Sequence, residues 1–225
     1  MTPRRLPMAL MPALSQQMRQ RRFKHFRALL DRVPRPLRIL DVGGAEAFWR
    51  QVDALDLRGV SITLLNREPL PVTHPAFTAV VGDARDLRDL AAGAFDVVFS
   101  NSVIEHVGDF ADQGRMAREV QRVGRRYYVQ TPNRYFPIEP HFFLPYFQFY
   151  PLSLRSWIFR HLSLSLGGGT LGWQRVASRA AADRLAGSIR LLSARELRRL
   201  FPGGHIWRER VAGLTKSLVV YGDWE

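Results

Sequence analysis

The chain has 225 residues, 46% of them apolar and 11% aromatic, which suits one domain of ordinary size with a sizeable core and excludes a disordered chain. Cysteine is absent, so disulfides and cysteine metal sites are ruled out, and the expected setting is a reducing, cytoplasmic one. The net charge of +13, carried almost wholly by arginine, favours anionic partners (nucleic acid, acidic lipid or a phosphorylated substrate) or else marks solvated helix faces.

The first 14 residues have a basic start and a short apolar run. Pro7 and Pro12 break that run and Arg19 to Lys24 follow at once, which argues against a signal peptide. No segment reaches the roughly 18 uninterrupted apolar residues of a membrane span. Ser15 to Arg32 reads as a helix, capped by Ser15, with Met18, Arg22, Phe26 and Leu29 at helical spacing and a strongly basic remainder. Pro34 and Pro36 end it, so residues 1–36 are expected to form a helical extension and 37–225 the main domain.

Leu37 to Gly43 is an apolar strand that ends on a carboxylate and a glycine turn. Such a turn, feeding a helix N-terminus, is how an open α/β sheet makes a ligand crevice. A helix is expected over 46–57, with Phe48, Val52 and Leu55 toward the sheet. Further strands are expected at Val60–Asn66, Phe77–Asp83, Ala94–Asn101 and Arg126–Thr131, and a helix at Phe110–Val123. Apolar strands alternating with helices indicate a mostly parallel sheet, and Asp41, Asp83 and Asn101 at successive strand ends indicate one shared crevice.

From Pro132 to about residue 187 the pattern breaks into a proline-rich, aromatic insertion (Tyr135, Phe142, Phe143, Tyr146, Phe147, Phe149 among others) carrying Gly167-Gly-Gly169. A connection of this length is usually a lid or binding element. It reads as the wall of an apolar pocket, as a membrane-resting surface in which Trp157 and Phe159 sit beside Arg155 and Arg160, or as extra core or a homodimer face. Ser193 to Phe201 opens like a capping box and reads as a helix, and 205–211 with 214–221 as a closing hairpin.

Leu40-Asp-Val-Gly43, Val81-Gly-Asp-Ala84 and the run Phe95-Asp-Val-Val-Phe-Ser-Asn-Ser-Val-Ile-Glu-His-Val107, in this order and followed by the helix and hairpin, resemble the class I S-adenosylmethionine-dependent methyltransferases, in the branch often called methyltransferase type 11. The resemblance covers about Leu37 to Tyr221. It implies a Rossmann-like α/β fold, with helices on both faces of a seven-stranded sheet whose last strand is antiparallel. It further implies that Asp41, Gly43 and Gly44 meet the methionine end of S-adenosylmethionine and that Asn66 stands where the family has an acid for the ribose hydroxyls. Asp83 and Ala84 would meet adenine, and Asn101 and Ser102 would lie below the sulfonium. The glycine loop departs from the family pattern, with Ala45 and Ala47 where two further glycines are usual.

Glu139 and His141, held among prolines, are candidates for a carboxylate-oriented base, and His106 is a second candidate. No histidine lies in a metalloprotein spacing, so no metal is expected. The expected function is methyl transfer to a small apolar, lipid-linked or glycan-linked acceptor, with peripheral membrane contact. One alternative is a cofactor-less binding protein on the same fold, suggested by Ala45 and Ala47. Another is a nucleic-acid methyltransferase, suggested by the charge but opposed by the lack of Asn-Pro-Pro-Tyr after the fourth strand.

Overall fold

A computed structural model describes residues 10–51, 58–166 and 171–224. The chain divides into two units, one drawn from residues 1–23 and 137–189 and the other from 24–136 and 190–225.

The larger unit is built on a seven-stranded sheet. Five strands run parallel: β1 (Leu37–Val42), β2 (Val60–Asn66), β3 (Phe77–Val81), β4 (Val97–Asn101) and β5 (Tyr127–Pro132). The hairpin β8 (His205–Val211) and β9 (Leu214–Gly222) completes it, with β9 antiparallel to β5, in the order β3-β2-β1-β4-β5-β9-β8. The seven strands and the antiparallel last strand are as expected. Ala212 (φ 47°) and Gly213 (φ 81°) form the hairpin turn, both in the left-handed region that two-residue hairpin loops require.

Residue pattern explains the layers. Leu40 and Val42 of β1, Val98 of β4 and Val129 of β5 are buried in one cluster with Met116, Ala117, Val120 and Val123 of helix α3 (Phe110–Val123). Those helix residues recur at i, i+1, i+4 and i+7, one face of a helix, and burying each large side chain contributes about 1.5–3 kcal/mol. Asp109 caps α3 by accepting the Asp112 amide at 2.8 Å, and the Asp112 carboxylate answers the Asp109 amide. On the opposite face Phe99 stacks on Tyr128 with ring centroids 5.8 Å apart, and Phe26 covers both. Helix α6 (Ala194–Leu200) has the expected capping box of Ser193 and Glu196.

Helix α1 runs Leu10–Leu30, five residues earlier than the expected start at Ser15. Pro12 falls in its first turn, where a proline removes no intrahelical hydrogen bond. Helix α2 spans Glu46–Gln51; the rest of the expected helix, with Val52 and Leu55, lies outside the described residues.

The smaller unit contains helix α4 (Leu152–His161), the short hairpin β6 (Leu164–Leu166) and β7 (Leu171–Trp173), and helix α5 (Arg179–Gly187). Its core is Phe142, Phe147, Ile158, Phe159, Ala182 and Ala186, with the Phe142 and Phe159 rings edge to face at 4.7 Å. Ser178 caps α5, and the Arg155 guanidinium donates to the carbonyls of Tyr150 and Ala186, joining α4 to α5.

Candidate active site

The carboxyl ends of β1, β2 and β4 lie side by side because the three strands pair in register: Asp41 opposite both Leu64 and Phe99, and Asn66 opposite Val81 on β3. Asp41 alternates onto the aromatic face of the sheet, with Phe99. There it is 1% exposed and accepts the Trp49 indole N–H at 2.7 Å. Burial pushes its carboxyl up to about 7, against the opposing pull of the Trp49 hydrogen bond. Its side chain sits against Gly44, beneath the turn.

The turn itself is close-packed. Gly43 has φ 74° and donates its N–H to Leu65 O at 2.8 Å. A Cβ there would stand 2.5 Å from Val103 Cγ2, and one on Gly44 would overlap Asp41 Oδ2. Only glycine fits either position without displacement. Asn66 donates its side-chain N–H to Gly44 O at 2.8 Å, so the amide closing β2 fixes the loop after β1. Glu46 at the start of α2 accepts the Thr73 amide at 2.7 Å and the Thr73 hydroxyl at 2.9 Å; that backbone bond, more than the adjacent Arg50, holds its carboxyl down to about 2.

Asp83 lies two residues past β3 and receives Arg85 Nη2 at 2.6 Å and Nε at 2.9 Å. Hydrogen bonding from Arg85 holds the Asp83 carboxyl down to about 2. Arg85 also donates to Val107 O and lies 3.4 Å from Asp112, linking the loop after β3 to the start of α3. Ala84 is buried in the main cluster. Beside Asp83 opens a charged cleft of about 510 Å³, walled by Arg85, Arg88, Arg115, Arg118 and Glu119.

Asn101 ends β4, and Ser102 follows with φ 57°, an uncommon conformation for a serine, with a cost on the order of 1–3 kcal/mol. Two bonds hold it there: its amide to Gln130 O at 3.0 Å and its hydroxyl to Gln130 Oε1 at 2.9 Å. Gln130 is 1% exposed, and its Nε2 has no hydrogen-bond partner among the described residues. Next along the chain a short 3-10 helix, Ile104–His106, is anchored by Glu105, whose carboxylate accepts the Thr131 hydroxyl at 2.8 Å. His106 is exposed at its end.

In the smaller unit Glu139 and His141 do come together. Glu139 Oε1 meets His141 Nδ1 at 2.6 Å, while Oε2 accepts the amides of His141 and Phe142 at 2.9 and 2.7 Å. The carboxylate is buried, and the imidazole is partly exposed. Asn133 and Arg134, by contrast, pin the chain after β5 to its own unit: Asn133 donates to Thr215 O at 2.8 Å and the Arg134 amide to Leu192 O at 3.0 Å.

Three of these side chains were not singled out from the sequence: Trp49, Arg85 and Gln130. Arg85 stands two residues after an aspartate, a spacing that local carboxylate–guanidinium pairing can use. Trp49 meets Asp41 across the turn between β1 and α2, and for Gln130 no sequence signal existed, since the pairing of β4 with β5 brings its partner near.

S-adenosylmethionine is the cofactor the fold implies, and two features of the rim suit it. A glycine turn that any Cβ would fill and a buried amide N–H with no partner among the described residues fit a ligand seated across these strand ends.

Residues 40–126 match the model of a family described as a methyltransferase domain. An uncharacterized protein of Mycobacterium tuberculosis is 41% identical over 68 residues, which is 30% of this chain; the match spans 22% of that protein's length. Among solved structures, an S-adenosylmethionine-dependent methyltransferase of Methanosarcina mazei is similar at 14% identity, with a TM-score of 0.50 over 86% of this chain and 94% of that one. The 1,6-didemethyltoxoflavin-N1-methyltransferase of Burkholderia thailandensis, solved with 1,6-didemethyltoxoflavin and S-adenosylhomocysteine bound, is similar at 14% identity, with a TM-score of 0.52 over 95% of this chain and 80% of that one. With the strand order, these matches show that the chain has the class I methyltransferase fold and that residues 40–126 are similar to a methyltransferase domain.

Proposed function

We propose that the protein transfers a methyl group from S-adenosylmethionine to a small acceptor that is apolar or carried on a lipid or glycan. The observation that carries the reading is the contiguous rim of parallel strand ends, with the Gly43–Gly44 turn at its centre and the buried Gln130 amide group beside it. The cofactor supplies an electrophilic methyl on a sulfonium. Gly43 and Gly44 let the backbone approach its amino-acid end, Asn66 and Asp83 with Ala84 take its ribose and adenine, and Asn101 and Ser102 flank the methyl. Displacement at a sulfonium gains chiefly from alignment, so the rigidity of Ser102, fixed twice by Gln130, bears on rate as much as on binding.

Where the acceptor must lose a proton, Glu139 and His141 form the base pair: the carboxylate keeps the proton on Nδ1 and leaves Nε2 the basic nitrogen. His106 is the alternative base. The exposed aromatic side chains of the insertion, Tyr146, Phe149 and Trp157, are compatible with an apolar acceptor. Incubating the protein and isotopically labelled cofactor with cell extract, then searching by mass spectrometry for metabolites that gain the label, tests the proposal; an absence of labelled product from folded, cofactor-binding protein counts against it.

One observation favours a second reading, a binding protein that has lost the cofactor. Asp41 is engaged by Trp49, and the loop carries Ala45 and Ala47 in place of glycines. Under that reading Asp41→Ala and Asp83→Ala leave the cellular role intact.

A further inference from the structure

Helix α4 buries Ser156, Ile158 and Phe159 and turns its other side to solvent. On that side Leu154, Trp157 and His161 lie at i, i+3 and i+7, one stripe of a helix, with Arg160 beside them. Trp157 is 51% exposed and Leu154 42%, and Leu162 follows at the helix end at 48%. The Trp157 ring is held by stacking on His161, centroids 4.8 Å apart, while His161 Nδ1 donates to Trp157 O at 2.8 Å. Just before the helix, Tyr146 adopts φ 53°, and both it and Phe149 are exposed. Large apolar side chains presented this way on one short segment need a partner for their surface.

Charge selects among partners. Arg160, Arg175, Arg179 and Arg184 are exposed in the same unit, and residues 1–23 contain several arginines and no acid. Within 137–189 the acids are Glu139, buried against His141, and Asp183, which lies 3.8 Å from Arg179. Trp, Tyr and Phe with arginine and almost no acid is the composition of a surface that rests at the headgroup level of an anionic bilayer. No helix among the described residues is long and apolar enough to cross a membrane, so the contact is one of resting on the surface.

We propose that the exposed side of α4, centred on Leu154 and Trp157 and flanked by Arg160, docks on the interface of an anionic lipid membrane. The proposal does not depend on methyl transfer, since lipid binding is read without cofactor. Sedimentation of the full chain with vesicles of phosphatidylcholine, with or without about a third phosphatidylglycerol, tests it. Strong binding to the anionic vesicles and weak binding to the neutral ones is expected. The double variant Leu154→Ser, Trp157→Ser should partition about tenfold less, with the melting temperature of the parent. As a second measurement, brominated lipid should quench tryptophan fluorescence in the parent and much less in Trp157→Phe, which keeps the apolar ring and so keeps binding. No sedimentation with anionic vesicles at low salt overturns the proposal, and leaves a protein partner for this face. Undiminished sedimentation of the double variant, or quenching that persists in Trp157→Phe, overturns it equally, by assigning the attraction to arginines elsewhere.

Discussion

The indole N–H of Trp49 donates to the carboxylate of Asp41 at 2.7 Å, a bond between the end of strand β1 and the first turn of helix α2, buried on the aromatic face of the sheet. It makes Asp41 a group whose proton depends on the fold. The folded carboxyl lies near pH 7 and the unfolded one near 3.8, with burial as the main cause. A raised carboxyl stabilises the fold fully below the unfolded value and loses that contribution as pH rises toward 7. At about 1.4 kcal/mol per pH unit the loss amounts to a few kcal/mol at most. Melting temperatures of the parent should therefore fall between pH 4 and 7 by more than those of Asp41→Asn, which removes the titration and keeps an acceptor for Trp49. Parallel curves for the two proteins contradict this.

Gly44 faces the same carboxylate. The Cβ of an alanine would collide with Asp41 Oδ2, and that oxygen cannot swing away without leaving Trp49. Gly44→Ala should cost about 1–3 kcal/mol of stability in denaturant unfolding and weaken cofactor binding. The companion change Ala45→Gly should leave stability within about 1 kcal/mol, separating the family's glycine pattern from the crowding at Gly44.

Much of the fold was legible in the sequence, and the failures have physical causes. Strand β2 and helix α3 have the expected bounds, since β-branched residues and a helical apolar stripe are local signals and Asp109 with Asp112 mark the helix start. The rim was legible because polar residues recur where apolar runs end. Helices α4 and α5 were hidden by a composition of prolines and aromatics, which spoke of an insertion and not of its internal packing. Where the Asp41 side chain lies was not legible: the face that the strand alternation assigns it holds the layer of Phe26, Phe99 and Tyr128, which no local pattern places.

Gln130 offers a sharper test of the rim. Its buried Nε2 has no partner among the described residues, so in Gln130→Leu the loss of an unsatisfied donor offsets the loss of the Ser102 hydroxyl bond, and the stability of the ligand-free protein should change by no more than about 1 kcal/mol. The loss of the Ser102 anchor and of the donor should lower methyl transfer, or affinity for S-adenosylhomocysteine, by roughly tenfold. A variant that is both less stable and fully active would show Gln130 to be structural.

Glu139→Gln separates orientation from chemistry. The amide can still accept from the backbone of His141 and Phe142, so the loop should keep its stability to within about 1 kcal/mol. Without the carboxylate beside Nδ1 the imidazole loses its charge partner, and the acid limb of the pH–rate profile should move to lower pH. A profile that does not move removes the pair from proton transfer.

Whether the strand-end rim holds the cofactor is measured most directly by calorimetric titration of the purified chain with S-adenosylhomocysteine. Binding at one site per chain is predicted, together with a rise in melting temperature and a loss of about tenfold or more in affinity for Asp83→Ala. A folded protein that shows neither heat nor thermal shift would contradict it.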